Sequence, residues 1–146
     1  MLTDYQKKAI EEIGASAKLE PGNRVVLLGA AGTAKKEAAA ALAYGLGRDV
    51  YEVDLSLIVS EFIGETEKNL NRVFAEAKRR GSILLFDEAD ALFGKRTDVK
   101  DAHDRFANIE VNYLLKRIEE YEGIVILATN NPKKIAAAFQ RRCRVI

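Results

Sequence analysis

The arrangement of apolar segments predicts an α/β fold, a three-layer α/β/α sandwich around a five-stranded parallel sheet. Short apolar runs alternate along the chain with stretches of helical periodicity, the pattern of strands joined by covering helices. One run, Ile83-Leu84-Leu85-Phe86, contains no polar residue, as expected of a strand covered on both sides of a parallel sheet.

The elements follow in order. Thr3 and Gln6 have capping-box spacing, and Tyr5, Ala9 and Ile13 recur at helical intervals, so the chain opens with a helix striped by those three. Pro21-Gly22-Asn23 ends that region. The first strand, Val25-Val26-Leu27-Leu28, stops at Gly29 and passes through a small-residue loop. An alanine-rich helix opens near Ala34 and runs to about Leu46, where Gly47 breaks it. Val50 to Asp54 alternates apolar and polar side chains and reads as the second strand. After the mixed stretch Ser56 to Gly64, residues Leu70, Val73, Phe74 and Ala77 fall at i, i+3, i+4 and i+7, the stripe of a helix buried on one face and stopped by Gly81. The third strand, Ile83 to Phe86, ends in Asp87-Glu88. Gly94 to His103 reads as a polar, mobile connection, and Val111, Leu114, Leu115 and Ile118 mark an amphipathic helix closed near Gly123. Ile124 to Leu127 is the fourth strand and ends in Thr129-Asn130-Asn131-Pro132. A short helix to Phe139 precedes Arg141 to Ile146, where a fifth strand begins.

A chain of 146 residues with 48% hydrophobic and 31% charged residues and a net charge of +1 is expected to form one domain with a substantial core. That balance argues against disorder and against bulk attraction to nucleic acid. The cluster Arg141, Arg142 and Arg144 is too small for a basic stripe, and no aromatic platform accompanies it. The single cysteine, Cys143, fits a reducing, cytoplasmic setting. The N-terminus lacks a basic then apolar signal pattern and no apolar run approaches membrane-spanning length, so no membrane partner is expected.

Ligands of parallel sheets sit at the carboxyl ends of the strands, and three of those ends here are polar. The turn Gly29-Ala30-Ala31-Gly32-Thr33-Ala34-Lys35-Lys36 matches the phosphate-cradling pattern G-x-x-x-x-G-K-[ST] at Gly29 and Lys35. Ala34 stands where the second glycine belongs, and Lys36 where the magnesium-binding hydroxyl belongs. A carboxylate at a buried strand tip, Asp87, suits magnesium, and its neighbour Glu88 suits activation of an attacking water. Asn130, at the next tip, suits a hydrogen bond to that water or to the terminal phosphate. Taken singly, each has a plainer reading: solvated acids, a turn-former before Pro132, solvated arginines at 141 and 142. Their co-occurrence in this order on an alternating α/β chain favours the phosphoryl-transfer reading.

Together these residues resemble the large α/β subdomain of the AAA+ ATPases, and the resemblance covers nearly the whole chain. Ile83-Leu84-Leu85-Phe86-Asp87-Glu88-Ala89-Asp90 resembles the Walker B strand, and Ala128-Thr129-Asn130 resembles sensor 1. Gly64-Glu65-Thr66-Glu67-Lys68-Asn69-Leu70 is similar to the segment after the first pore loop, and Phe139-Gln140-Arg141-Arg142 to the region of the arginine finger. Phe93-Gly94-Lys95-Arg96 and His103-Asp104-Arg105-Phe106-Ala107-Asn108 look closest to the bacterial branch that includes ATPases of contractile injection systems. The resemblance implies ATP and Mg2+ as cofactors. It gives Lys35 the β and γ phosphates, Asp87 the magnesium, Glu88 the water and Asn130 the sensor role, with Arg141 or Arg142 acting on a neighbouring subunit's ATP. It further implies a homo-hexamer that threads a polypeptide past Phe62 and Ile63.

The loop departs most from the family. The Ala34 methyl is expected to obstruct the approach of phosphate to backbone N–H groups. Lys36 removes a magnesium ligand and brings a second cation; two unit charges 4 Å apart repel by about 4 kcal/mol at an effective dielectric near 20. Ala30 and Ala31 stand where relatives usually carry prolines, and Ala136 and Ala137 replace a polar pair. AAA+ modules continue into a helical lid, which is expected to be absent from a chain stopping at Ile146, leaving a fragment that is monomeric and hydrolyses ATP weakly or not at all. Two functions therefore remain open: an ATP-binding core with a defective loop, and an engineered or degenerate α/β scaffold that binds no nucleotide.

Overall fold

The computed structural model describes residues 2–15, 24–29, 33–93, 102–139 and 143–146. The elements are α1 (Asp4–Gly14), β1 (Val25–Leu28), α2 (Thr33–Leu46), β2 (Val50–Asp54), α3 (Leu55–Ile58), α4 (Glu65–Arg80), β3 (Ile83–Asp87), α5 (Asp90–Phe93), α6 (Ala102–Glu120), β4 (Val125–Ala128), α7 (Pro132–Ala138) and β5 (Arg144–Val145). The five strands form one sheet in the order β2-β3-β4-β1-β5, every pairing parallel. Pro21-Gly22-Asn23 and residues 94–101 lie outside the described residues, whereas 102 and 103 already belong to α6.

Alternation along the strands divides the core between the two faces of the sheet. Leu27, Leu84, Phe86 and Leu127 pack with Leu70 and Phe74 of α4 and Leu114 and Ile118 of α6. Leu28, Leu85, Ile126 and Ala128 pack on the other face with Ile10 and Ile13 of α1 and Ala38 and Leu42 of α2. Because the inner strands are apolar at every position except the terminal Asp87, both layers are held by the same three strands.

The capping box forms as expected: the Thr3 hydroxyl accepts from Gln6 N, and the Gln6 side chain accepts from Thr3 N. The stripe of α1 differs from the expected one. Tyr5 is 65% exposed, and Gln6, Ala9, Ile10 and Ile13 are buried. The helix is rotated so that its cap residue Gln6 faces inward, where its Nε2 also donates to Gly29 O at 3.4 Å. Helix α4 ends where expected, at Gly81, whose φ of 65° lets its N–H turn back to the carbonyls of Ala77 and Lys78.

Sheet order positions the site. The chain leaves β1 for the far edge strand β2 and returns through β3 and β4, so the carboxyl tips of β3, β4 and β1 stand side by side. This reversal beside β1 is the switch point at which open parallel sheets bind ligands.

Candidate functional site

The tips are tied together by backbone hydrogen bonds continuing the ladder. Thr129 N donates to Leu28 O at 3.1 Å and Ala89 N to Ala128 O at 3.3 Å. Gly29 N donates to Ile146 O at 3.0 Å. A Cβ at Gly29 would meet Pro132 Cγ at 3.1 Å, so a side chain there would require the proline ring to give by a few tenths of an ångström just where the loop departs.

Lys35, in the first turn of α2, reaches past the tip of β4 to Asp87 at the end of β3. Its Nζ lies 2.7 Å from Asp87 Oδ1 and 2.8 Å from Oδ2, with the two side chains 15% and 19% exposed. The hydrogen bond to Asp87 holds the lysine above its usual pKa, against the opposing effect of burial. Asp87 Oδ1 also accepts from Glu88 N at 2.8 Å. Lys35, six positions after Gly29, and Asp87, at the end of the third strand, are thus in direct contact.

Glu88 is exposed and has φ 55°, a left-handed conformation that non-glycine residues rarely adopt. The chain turns sharply here from β3 into α5, with Ala91 N returning to Glu88 O at 3.0 Å. Strain of this kind is held by its surroundings and is common at functional sites. Glu88→Gly is expected to stabilise the fold by about 0.5–1 kcal/mol, read from the urea midpoint. An unchanged or lowered midpoint would mean that the turn stores no strain.

Of the loop, Ala30, Ala31 and Gly32 lie outside the described residues, as do Arg141 and Arg142. Thr33 and Lys36 are exposed, and Lys36 makes no hydrogen bond or ion pair among the described residues. Ala34 is 4% exposed and packs in the α1–α2 core with Val26 and Leu28. This corrects the expected obstruction: the methyl is taken up by the core. Asn130 is exposed at the tip of β4. Phe62 and Ile63, 66% and 76% exposed, lie between α3 and α4. That segment is pinned by Ser60 N donating to Thr66 Oγ1 at 2.9 Å and Phe62 N to Ser60 Oγ at 3.1 Å.

Two residues that lie within the quoted motifs but were given no role there join the tips of β3 and β4. Asp90 Oδ1 accepts from Thr129 Oγ1 at 2.8 Å, and its Oδ2 accepts from Asn130 N at 3.1 Å. The signal available in the sequence was the second aspartate, three positions after Asp87, with a threonine at the next strand tip. A cleft of about 750 Å³ lies at the opposite edge, lined by Phe74, Arg117, Tyr121 and Ile124, and shares no residue with this site.

No cluster of three metal-ligating side chains occurs among the described residues. A lone carboxylate at a strand tip fits magnesium, which is commonly held by one or two carboxylates together with substrate phosphates. No helix is long and apolar enough to cross a membrane among the described residues.

Residues 25–146 match the family described as ATPase family associated with various cellular activities (AAA). The chain belongs to the AAA ATPase family. Similar AAA relatives include the ATPase family gene 2 protein of Schizosaccharomyces pombe, 35% identical over 127 residues, covering 86% of this chain and 16% of that protein. The cell division cycle protein 48 homolog of Archaeoglobus fulgidus is 34% identical over 125 residues, 84% of this chain and 17% of its own length. The 26S proteasome subunit RPT4 of Saccharomyces cerevisiae is 30% identical over 139 residues, 92% of this chain and 32% of its own. The chain thus spans a third or less of each of these three AAA proteins.

Proposed function

We propose that this chain is an ATP-binding AAA+ core, residues 1–146 forming a single domain, whose altered phosphate loop reduces or abolishes hydrolysis. The observation that carries the reading is the contact between Lys35 and Asp87, which joins the phosphate-loop lysine to the metal-binding strand tip. With nucleotide bound, Lys35 would take the β and γ phosphates in place of Asp87, and Asp87 would hold magnesium. The ion would supply screening of the phosphate oxygens. Glu88 orients the attacking water, and Asn130 contacts that water or the γ-phosphate. The resemblance assigns the loop Gly29, Ala30, Ala31, Gly32, Thr33, Ala34, Lys35 and Lys36 to the phosphates. The missing hydroxyl at position 36 is what limits metal retention, since the Ala34 methyl is absorbed by the core.

The finer assignments rest on the resemblance. They are a bacterial branch that includes contractile-injection ATPases, a homo-hexamer with Arg141 or Arg142 reaching a neighbour's ATP, and a polypeptide gripped by Phe62 and Ile63. A cytoplasmic location belongs with them. The exposure of Phe62 and Ile63 supports the gripping role.

Ala34→Gly with Lys36→Thr is expected to raise magnesium-dependent ATP turnover at least about tenfold, equivalent to about 1.4 kcal/mol in the barrier. No rise would mean that the loop does not limit activity. Titration of labelled ATP separates this reading from the engineered or degenerate scaffold. Submicromolar, magnesium-enhanced binding excludes the scaffold, and absence of binding supports it.

A further inference from the structure

We infer that Asp90 is a positioning residue that sets Asn130 against Glu88 through a two-oxygen clamp between the tips of β3 and β4. The inference rests on the reading that Asn130 faces bound nucleotide. Each carboxylate oxygen of Asp90 has its own donor: Thr129 Oγ1 at 2.8 Å on Oδ1 and Asn130 N at 3.1 Å on Oδ2. The threonine hydroxyl is used twice, because it also accepts from Asn131 N at 3.0 Å. Thr129 is 4% exposed and is anchored to β1 by its N–H on Leu28 O at 3.1 Å. The Asn130 N–H is therefore fixed to the carboxylate directly, the Asn131 N–H through the Thr129 hydroxyl, and Thr129 to the strand that carries the phosphate loop.

The clamp has consequences for both reacting-side residues. Asp90 sits two positions after Glu88 and opens α5, so fixing Asp90 also fixes the turn in which Glu88 holds φ 55°. Asn130 is itself exposed, and among the described residues its side chain makes no hydrogen bond, so its placement depends on its backbone. Hydrogen bonds to a charged acceptor are stronger than neutral ones and suit this purpose. Preorganising a polar group in this way avoids reorganisation when charge develops on the phosphate.

The test is amide NMR on the full chain, without nucleotide and then with magnesium and the non-hydrolysable analogue AMP-PNP. In the wild type, the Asn130 backbone amide is expected to be displaced downfield by its carboxylate acceptor and protected from exchange. Asp90→Ala is expected to abolish the displacement and to accelerate Asn130 exchange at least about tenfold. The response of the Asn130 side chain to AMP-PNP is expected to be lost, while Gly29 and Lys35 still respond. Asp90→Asn, with one acceptor oxygen left, is expected to restore the Asn130 amide signature.

Unchanged Asn130 signals in Asp90→Ala would overturn the proposal. So would loss of the Gly29 and Lys35 responses together with that of Asn130, the mark of general loosening. If no residue of the wild type responds to AMP-PNP, the nucleotide reading fails, and the nucleotide-free spectra alone decide whether Asp90 holds Asn130. Should Asp90→Ala not fold, Thr129→Val deletes half of the clamp. It is expected to give the same pattern at smaller amplitude, and unchanged signals in it overturn the proposal.

Discussion

In the Asp87→Asn protein, magnesium-free ATP is expected to bind about tenfold more tightly than in the wild type, and magnesium to add no further affinity. The reason is that Lys35 serves two acceptors in turn. Both oxygens of Asp87 hold its ammonium in the ligand-free protein, and an incoming phosphate must displace them. Hydrogen bonds to charged groups contribute about 1.5–3 kcal/mol, so weakening this one by about half frees roughly the energy of a tenfold change. The same carboxylate is the proposed magnesium ligand, so its loss removes the response to the metal. Calorimetric titration with and without a chelator reads both effects. Equal magnesium-free affinities would show that the pair does not compete with phosphate.

The pair also contributes to stability, and its pH dependence has a definite sign. Lys35 is raised in the folded protein above its usual 10.5. Its contribution is therefore complete below about that pH and is lost as the pH rises through the higher folded value. Asp87→Asn is expected to lower the urea midpoint at neutral pH and to flatten the wild-type decline above pH 10.5.

Phe86→Ala is expected to destabilise the fold by about 3–5 kcal/mol, a fall in Tm of roughly 10–15 °C. Phe86 is 0% exposed, stands in register with Val53 and Leu127, and its ring centroid lies 5.8 Å from that of Phe74. Removing it opens a void between β3 and α4 directly behind Asp87. Phe62→Ala, by contrast, removes a ring that is 66% exposed and is expected to change stability by about 0.5 kcal/mol or less. Thermal unfolding of the two variants makes the comparison. A loss at Phe86 of under about 1 kcal/mol would mean that the sheet is not packed on α4 as described.

Much of this was legible in the sequence because the responsible signals are local. Unbroken apolar runs gave the inner strands, which need apolar residues on both faces, and Gly81 gave the end of α4 because its φ of 65° strains other residues. The fourth strand runs one residue later than expected, from Val125 to Ala128, since Ala128 is as well covered as its neighbours. What failed was rotation about a helix axis. The spacing of Tyr5, Ala9 and Ile13 is helical, yet Ala9, Ile10 and Ile13 define the buried face, and a polar cap residue shares it. The same limit applies at Ala34, whose direction is decided by how α2 seats on β1, and periodicity in four alanines carries no direction. At the site, the meeting of Lys35 and Asp87 was expected because ligands of parallel sheets sit at the carboxyl ends of the strands. The clamp on Asn130 was not, because it joins Asp90 to a residue 40 positions away. The positive φ at Glu88 has no sequence signal at all, since no glycine marks it.

Replacing magnesium by paramagnetic manganese, with ATP, tests most directly whether the loop lysine and the acids of β3 share one triphosphate. Backbone amides of Gly29, Lys35, Asp87 and Asn130 are expected to broaden together as manganese is added, and to recover when magnesium displaces it. Broadening confined to other acidic surfaces, or none at these four residues, would contradict a common nucleotide site.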